Sequence, residues 1–184
     1  VMDYGMGLSA QRDLLETGGW WLDLVKIATG VSRVLPGPVL REKIELYKAN
    51  GVHPFPGGQF FELAYLQKRV EPYFEAVRAA GYTHVEISDN CIDLPPARKA
   101  ESVRLATATG LTVLGEVGKK VEISDAGDLI ADIRATLEAG AWKVLVEAVE
   151  LMDKGLNVHL METLGRELAL RALMFETPHL WIKD

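Results

Sequence analysis

One phrase recurs along this chain: an amphipathic stretch, a glycine, a run of apolar residues and a polar or charged tip. The apolar runs read as strands over Val1–Gly5, Leu22–Ala28, Val52–Phe55, Thr83–Ser88, Leu111–Val117, Trp142–Ala148 and Leu173–Glu176. Between them, helical spacing predicts Ser9–Thr17 with Ser9 as cap, Pro38–Ala49, Gln59–Ala80 with a break near Pro72, Pro96–Thr109, Asp125–Ala139 and Val158–Leu170. The residues up to Asp184 read as the start of a further helix. Strands that are apolar almost throughout, each followed by a helix, imply a parallel sheet covered by helices. Two architectures satisfy this, an open doubly wound sheet and a closed (β/α)₈ barrel of the TIM type. Even spacing, reactive residues at nearly every strand end and no switch-point glycine fingerprint favour the barrel. A barrel usually needs about 250 residues, and only seven strand–helix units are visible in 184. The eighth is incomplete or missing, so either the barrel is open or residues are omitted from the chain.

Composition narrows the function. An apolar share of 48% with 25% charged residues suits one globular domain spanning residues 1–184. A formal charge of −6 without a basic face disfavours nucleic acid as partner. No stretch approaches the roughly 20 apolar residues of a membrane helix, the single Cys91 has no internal disulfide partner, and no basic, apolar leader opens the chain. These features together predict a cytoplasmic protein without a membrane or nucleic-acid partner.

The stretch Gly115-Glu116-Val117-Gly118-Lys119-Lys120 places a carboxylate and two amines at the end of the fifth strand. Equivalent positions elsewhere hold Asp3, Lys26, the Pro56-Gly57-Gly58 turn, Glu86 with Ser88 and Asp89, Glu147 with Glu150, and Glu176. Taken singly, each carboxylate is as well explained by helix capping or a surface ion pair. Four strands delivering Glu86, Glu116, Glu147 and Glu176 to one barrel end is a different matter, since inward carboxylates are costly unless paired or bound to a cation. Oxygen ligands without a Cys or His cluster suit Mg²⁺, with Asp3 as a further ligand of the set. His53, His84, His159 and His179 lack metal spacing, and His84 reads as structural. Lys26, inside an apolar strand, calls for a carboxylate or an anionic substrate. Gly57 and Gly58 allow close approach of an anion to a helix N-terminus, although a bland turn fits equally. Ser88 shares the face of Glu86 and is assigned to the substrate. Side-chain alternation carried past Gly118 puts Lys120, rather than Lys119, on the face of Glu116, although both lysines also fit solvated loop positions. The tryptophans, including Trp20 and Trp21, read as packing residues.

The chain resembles the phosphosulfolactate synthases. The likeness rests on Asp23-Leu24-Val25-Lys26, Leu40-Arg41-Glu42-Lys43-Ile44, Pro56-Gly57-Gly58 with Glu62, Val85-Glu86-Ile87-Ser88-Asp89, Glu116-Val117-Gly118-Lys119-Lys120, Ala139-Gly140-Ala141 with Glu147, and Phe175-Glu176 with Pro178. It implies a (β/α)₈ barrel and Mg²⁺-dependent addition of sulfite to phosphoenolpyruvate, on a route to coenzyme M or related sulfonates. In that reaction Lys120, or failing it Lys119, would donate the proton, with Glu116 near the metal and Lys26, Gly57 and Gly58 holding anionic groups. Tyr4 and Val149 stand where the family pattern has a lysine and an arginine. Two other readings therefore stay open: a Mg²⁺-dependent barrel enzyme for another enolate or phosphorylated small acid, and a non-catalytic, stress-associated homologue. Barrels of this kind often associate through helices or loops, which leaves a homo-oligomer open.

Overall fold

The structure, a computed structural model, describes residues 1–120, 123–152 and 155–177. Among the described residues seven strands run parallel: β1 (Met2–Asp3), β2 (Leu24–Ile27), β3 (His53–Pro56), β4 (His84–Ile87), β5 (Thr112–Val117), β6 (Lys143–Val146) and β7 (Leu173–Phe175). Around them lie α1 (Leu8–Gly18), α2 (Val31–Val34), α3 (Gly37–Ala49), α4 (Gly58–Leu66), α5 (Val70–Ala79), α6 (Pro96–Ala108), α7 (Ala126–Glu138) and α8 (Val158–Glu167). Ser9 lies inside α1, whose cap position is Gly7, so the expected serine cap is not used. The helix expected over Gln59–Ala80 is two helices. The chain turns at Lys68, which takes a positive φ of 54°, and Pro72 sits in the first turn of α5, where a missing N–H costs nothing. The helix expected to begin towards Asp184 lies outside the described residues, as does His179.

Among the described residues the hydrogen-bonded ladders fall into two sets, β1-β2-β3 and β4-β5-β6-β7. Proline explains the break. His53 and Gly57 donate their amides to β2 at Asp23 and Ile27, so alternation points positions 54 and 56 toward β4. Both are proline and offer no N–H to a ladder. β3 and β4 still lie side by side.

Register fixes which side chains face inward. Lys26 pairs with Met2 and Phe55, Glu86 with Leu114, and Glu116 with Leu145, which in turn pairs with Met174. Those positions share the inner face. The alternate residues Val25, Ile27, Val85, Ile87, Val113, Val144 and Val146 point outward and are buried under the helices. Gly115 belongs to this outer set, and a Cβ there would collide with Thr136 of α7. Below the polar tips, the inner face carries a cavity of about 360 Å³ between β1 and β7, lined by Met2, Leu24, Phe55, Leu145 and Met174. Trp20 and Trp21, expected to pack, are instead exposed on the short 3₁₀ turn after α1.

Candidate active site

Five strand ends and one loop bring charged groups to the upper end of the inner face. Lys26, Glu86, Glu116, Lys120 and Glu176 line one small cavity with Gly57, Gly58 and Gln59. The Lys26 ammonium lies 2.8 Å from Glu86 Oε1 and 3.4 Å from Glu116 Oε1. Glu86 Oε2 accepts the Gly58 amide at 2.5 Å. Lys120 reaches Glu147 Oε2 at 2.7 Å, and Asn90 Nδ2 donates to the same oxygen at 2.8 Å. Glu176 hydrogen-bonds with Glu147 and accepts the Ala148 amide at 3.4 Å. The two amines thus sit among four carboxylates, with Lys120 on the Glu147–Glu176 side.

Burial and crowding set the protonation. Desolvation, reinforced by neighbouring Glu86 and opposed by Lys26 and Lys120, pushes Glu116 up from 4.5 to about 7. Glu147 also rises to about 7, chiefly through burial and the hydrogen bond to Glu176, while Lys120 opposes the shift. Burial raises the deeply buried Glu86 as well, against the pull of Lys26. Glu176 goes the other way: burial is outweighed by its Glu147 hydrogen bond and by Lys120. Burial would lower both lysines, but the facing glutamates leave each above its ordinary value. Both amines are therefore charged, and protons are shared among the acids near neutrality.

Several expected residues are placed differently. Asp3 follows Met2, and alternation turns it outward into α1 and α3. There it pairs with Lys43 at 2.6 Å and accepts from Tyr47 Oη at 2.7 Å and from the amides of Gly5 and Met6. It stands apart from the acidic cluster and is not among the ligands we propose. Ser88 is fully buried beneath Gly58 and donates to Glu62, so it buttresses the turn instead of touching the cavity. A Cβ on Gly58 would collide with Ser88 and approach Glu86 to 3.1 Å. Glycine here makes room for the protein's own carboxylate. Lys119 turns away from Glu116 and holds the Asp89 carbonyl at 2.6 Å and its carboxylate at 3.1 Å.

Sequence reasoning missed three supports. Glu62 of α4 gathers Ser88 Oγ with the amides of Asn90 and Cys91, fixing the turn after β4. Lys99 of α6 is 1% exposed and donates to Asp89, Asp132 and the Glu116 carbonyl, each within 2.9 Å. A signal for it existed, because Lys99 shares the buried stripe of Ser102, Val103 and Ala106 at helical spacing. Asn90, given no role by the sequence, donates to Glu147.

The donor set of the cavity is of the kind that takes a divalent cation. Fully ionised, four carboxylates against two ammoniums would leave two negative charges, all the donors are oxygens, and among the described residues Asn90 Oδ1 is buried without a hydrogen-bond partner. That chemistry fits Mg²⁺, which takes one or two protein carboxylates and fills the rest with water and substrate. Among the described residues no three acidic, His or Cys side chains converge as a ready-made cage. The touching Glu147–Glu176 pair is the part that fits.

Inward-facing charges gathered at the carboxyl ends of parallel strands are the arrangement of a β/α-barrel scaffold. Solved structures agree on the fold. A putative phosphonomutase from Burkholderia cenocepacia superposes with TM-score 0.61 at 15% identity over 97% of this chain and 80% of its own. A 2,3-dimethylmalate lyase gives 0.61 at 16% over 97% and 64%. A phosphoenolpyruvate phosphomutase from Streptomyces platensis gives 0.56 at 15% over 99% and 76%. Residues 1–181 match the model of the (2R)-phospho-3-sulfolactate synthase family. The chain is 34% identical to the phosphosulfolactate synthase of Methanothermobacter thermautotrophicus over 169 residues, 90% of this chain and 64% of that protein. It is 32% identical to the Methanocaldococcus jannaschii phosphosulfolactate synthase over 97% of this chain and 76% of that protein. The chain belongs to the phosphosulfolactate synthase family, and it spans just under two thirds of the Methanothermobacter relative. No described helix is long and apolar enough to cross a membrane.

Proposed function

We propose that this chain, acting as one barrel domain over residues 1–184, is a Mg²⁺-dependent lyase that joins sulfite to phosphoenolpyruvate to give phosphosulfolactate. The observation that carries the reading is the Lys120 ammonium set 2.7 Å from Glu147 at the cavity that also holds Lys26, Glu86 and Glu116. The sulfur lone pair forms a bond to the methylene carbon of phosphoenolpyruvate, the double-bond electrons move toward its carboxylate, and the adjacent carbon must take a proton. Lys120 Nζ is the donor, and Glu147, 2.7 Å away, keeps the amine charged and in place. Lys26 and the Gly57–Gly58 turn receive the phosphate or sulfonate group. Mg²⁺, held by Glu147 and Glu176 with Glu86 and Glu116 nearby, would supply positive charge where the substrate carboxylate gains negative charge.

Incubating the protein with phosphoenolpyruvate, sulfite and Mg²⁺ and following phosphorus NMR tests the reading. Phosphosulfolactate should form and its formation should stop on chelation; folded protein that yields none rejects the proposal. Lys120→Ala should lower kcat by about 10²–10⁴-fold, the usual contribution of a positioned acid, with the melting profile nearly unchanged.

A further inference from the structure

Lys120 can serve only if the loop that carries it is held, and a carboxylate outside the cavity holds it. Glu150, in the 3₁₀ turn Ala148–Leu151 that follows β6, is completely buried. Its Oε1 accepts the Lys119 amide at 3.1 Å and the Ser124 hydroxyl at 2.6 Å, and its Oε2 accepts the Ser124 amide at 2.9 Å. One side chain therefore grips the backbone on both sides of Lys120. The carboxylate comes this close because residue 118 is glycine. Gly118 has φ +98°, and a Cβ on it would lie 2.5 Å from Glu150 Cγ and 2.9 Å from Oε1. The same turn presents Glu147 to Lys120 three residues earlier. Donor and partner thus hang from one short segment whose spacing is fixed by hydrogen bonds.

We propose that Glu150 is the positioning residue for Lys120, setting the amine on Glu147 without touching substrate. The proposal rests on the reading of Lys120 as proton donor only for its catalytic meaning; the placement of the amine is measurable by itself. A Glu150→Gln side chain keeps the volume but loses the charge and one of the two acceptor oxygens. Without that grip the Lys120 amine leaves its 2.7 Å contact with Glu147 and becomes more accessible to reagents in solution.

The test is reductive methylation of the full chain near pH 8, with the rate at each lysine read by peptide mass spectrometry. In Glu150→Gln, Lys120 should be methylated about threefold faster because its loop is no longer held and the amine opens to the reagent, with Lys26 and Lys99 unchanged as internal controls. Alongside, kcat for sulfite addition should fall about tenfold or more with KM within about twofold, as for loss of proton-transfer geometry, and Glu150→Asp should recover part of it. If Glu150→Gln does not fold, Ser124→Ala removes one grip from the loop side and should shift the Lys120 rate in the same direction by a smaller factor. A wild-type Lys120 rate in the folded variant overturns the proposal whatever happens to turnover. Absence of product from the wild-type chain would reject the reaction assigned to the site and leave the labelling result to decide the role of Glu150.

Discussion

Two buried lysines invite comparison. Lys43 of α3 and Lys99 of α6 are each 1% exposed, and each holds an aspartate at or just past a strand end together with a backbone carbonyl. Lys43 ties Asp3, the Met6 carbonyl and Gln11, a closed set at the edge of β1 in which Asp3 also takes Tyr47 and two amides. Lys99 ties Asp89, Asp132 and the Glu116 carbonyl, and Asp89 passes on to Lys119 beside the proposed donor. The residue types match and the consequences differ. One lysine completes a structural knot; the other is one side chain away from the site.

Removing each lysine separates the two. Lys43→Met leaves Asp3 buried without its cation and should cost about 3–5 kcal/mol of stability, read by denaturant unfolding, while kcat per folded molecule stays near wild type. A loss under about 1 kcal/mol would erase the distinction. Lys99→Met should cost less, about 1–3 kcal/mol, because its carboxylates keep some water, with side-chain exposures of 14% and 24%. Its kcat should nevertheless fall, since the Glu116 carbonyl and the Asp89–Lys119 contact lose their anchor; unchanged turnover would make the two lysines equivalent.

The halves should also answer pH with opposite signs. Burial would raise Asp3, but Lys43, Tyr47 and the two amides hold it below its ordinary 3.8. Its contribution is present above that value and lost as the solution turns more acid. Glu116 and Glu147, raised from 4.5 to about 7, bind protons more tightly folded than unfolded. Their contribution is greatest below pH 4.5 and declines as pH rises through about 7. Added Mg²⁺ should therefore raise the melting temperature more at pH 7.5 than at pH 5.5, because at the lower pH it must displace those protons. Equal shifts would place the cation elsewhere. The smallest effect is expected at Asp125, whose carboxylate caps α7 through the Gly127 and Asp128 amides. Asp125→Ala should cost about 1 kcal/mol and loosen the helix that brings Asp132 to Lys99, sharpening the contrast if kcat also falls slightly.

The inward direction of the glutamates was legible because alternation along an apolar strand is a strict rule, and carried past Gly118 the same rule put Lys120, not Lys119, on their side. Asp3 defeated the same rule. β1 is two residues long, and only its register against Lys26 and Ile27 reveals that Met2 faces inward. Ser88 has the correct parity, but the space above it belongs to Gly58 and Glu86, a contact between distant segments that no local pattern encodes. Lys43 and Lys99 both lie on the apolar stripes of their helices, at the spacing of Leu40, Ile44 and Tyr47 or of Ser102, Val103 and Ala106. A lysine there marks a buried polar tie, yet the stripe does not name its partners.

The prolines of β3 leave β4 without a backbone ladder on that side, and groups of the site cross the junction at its upper end. Gly58 donates to Glu86 there, and Lys26 reaches from β2 to Glu86 and Glu116. The two ladders are consequently fastened, at their upper end, by ionisable side chains instead of by peptide hydrogen bonds. Anything that changes the charge state of the cavity changes how firmly one half of the sheet grips the other, so occupancy of the site should be felt as slower amide exchange along the whole of β2 and β4.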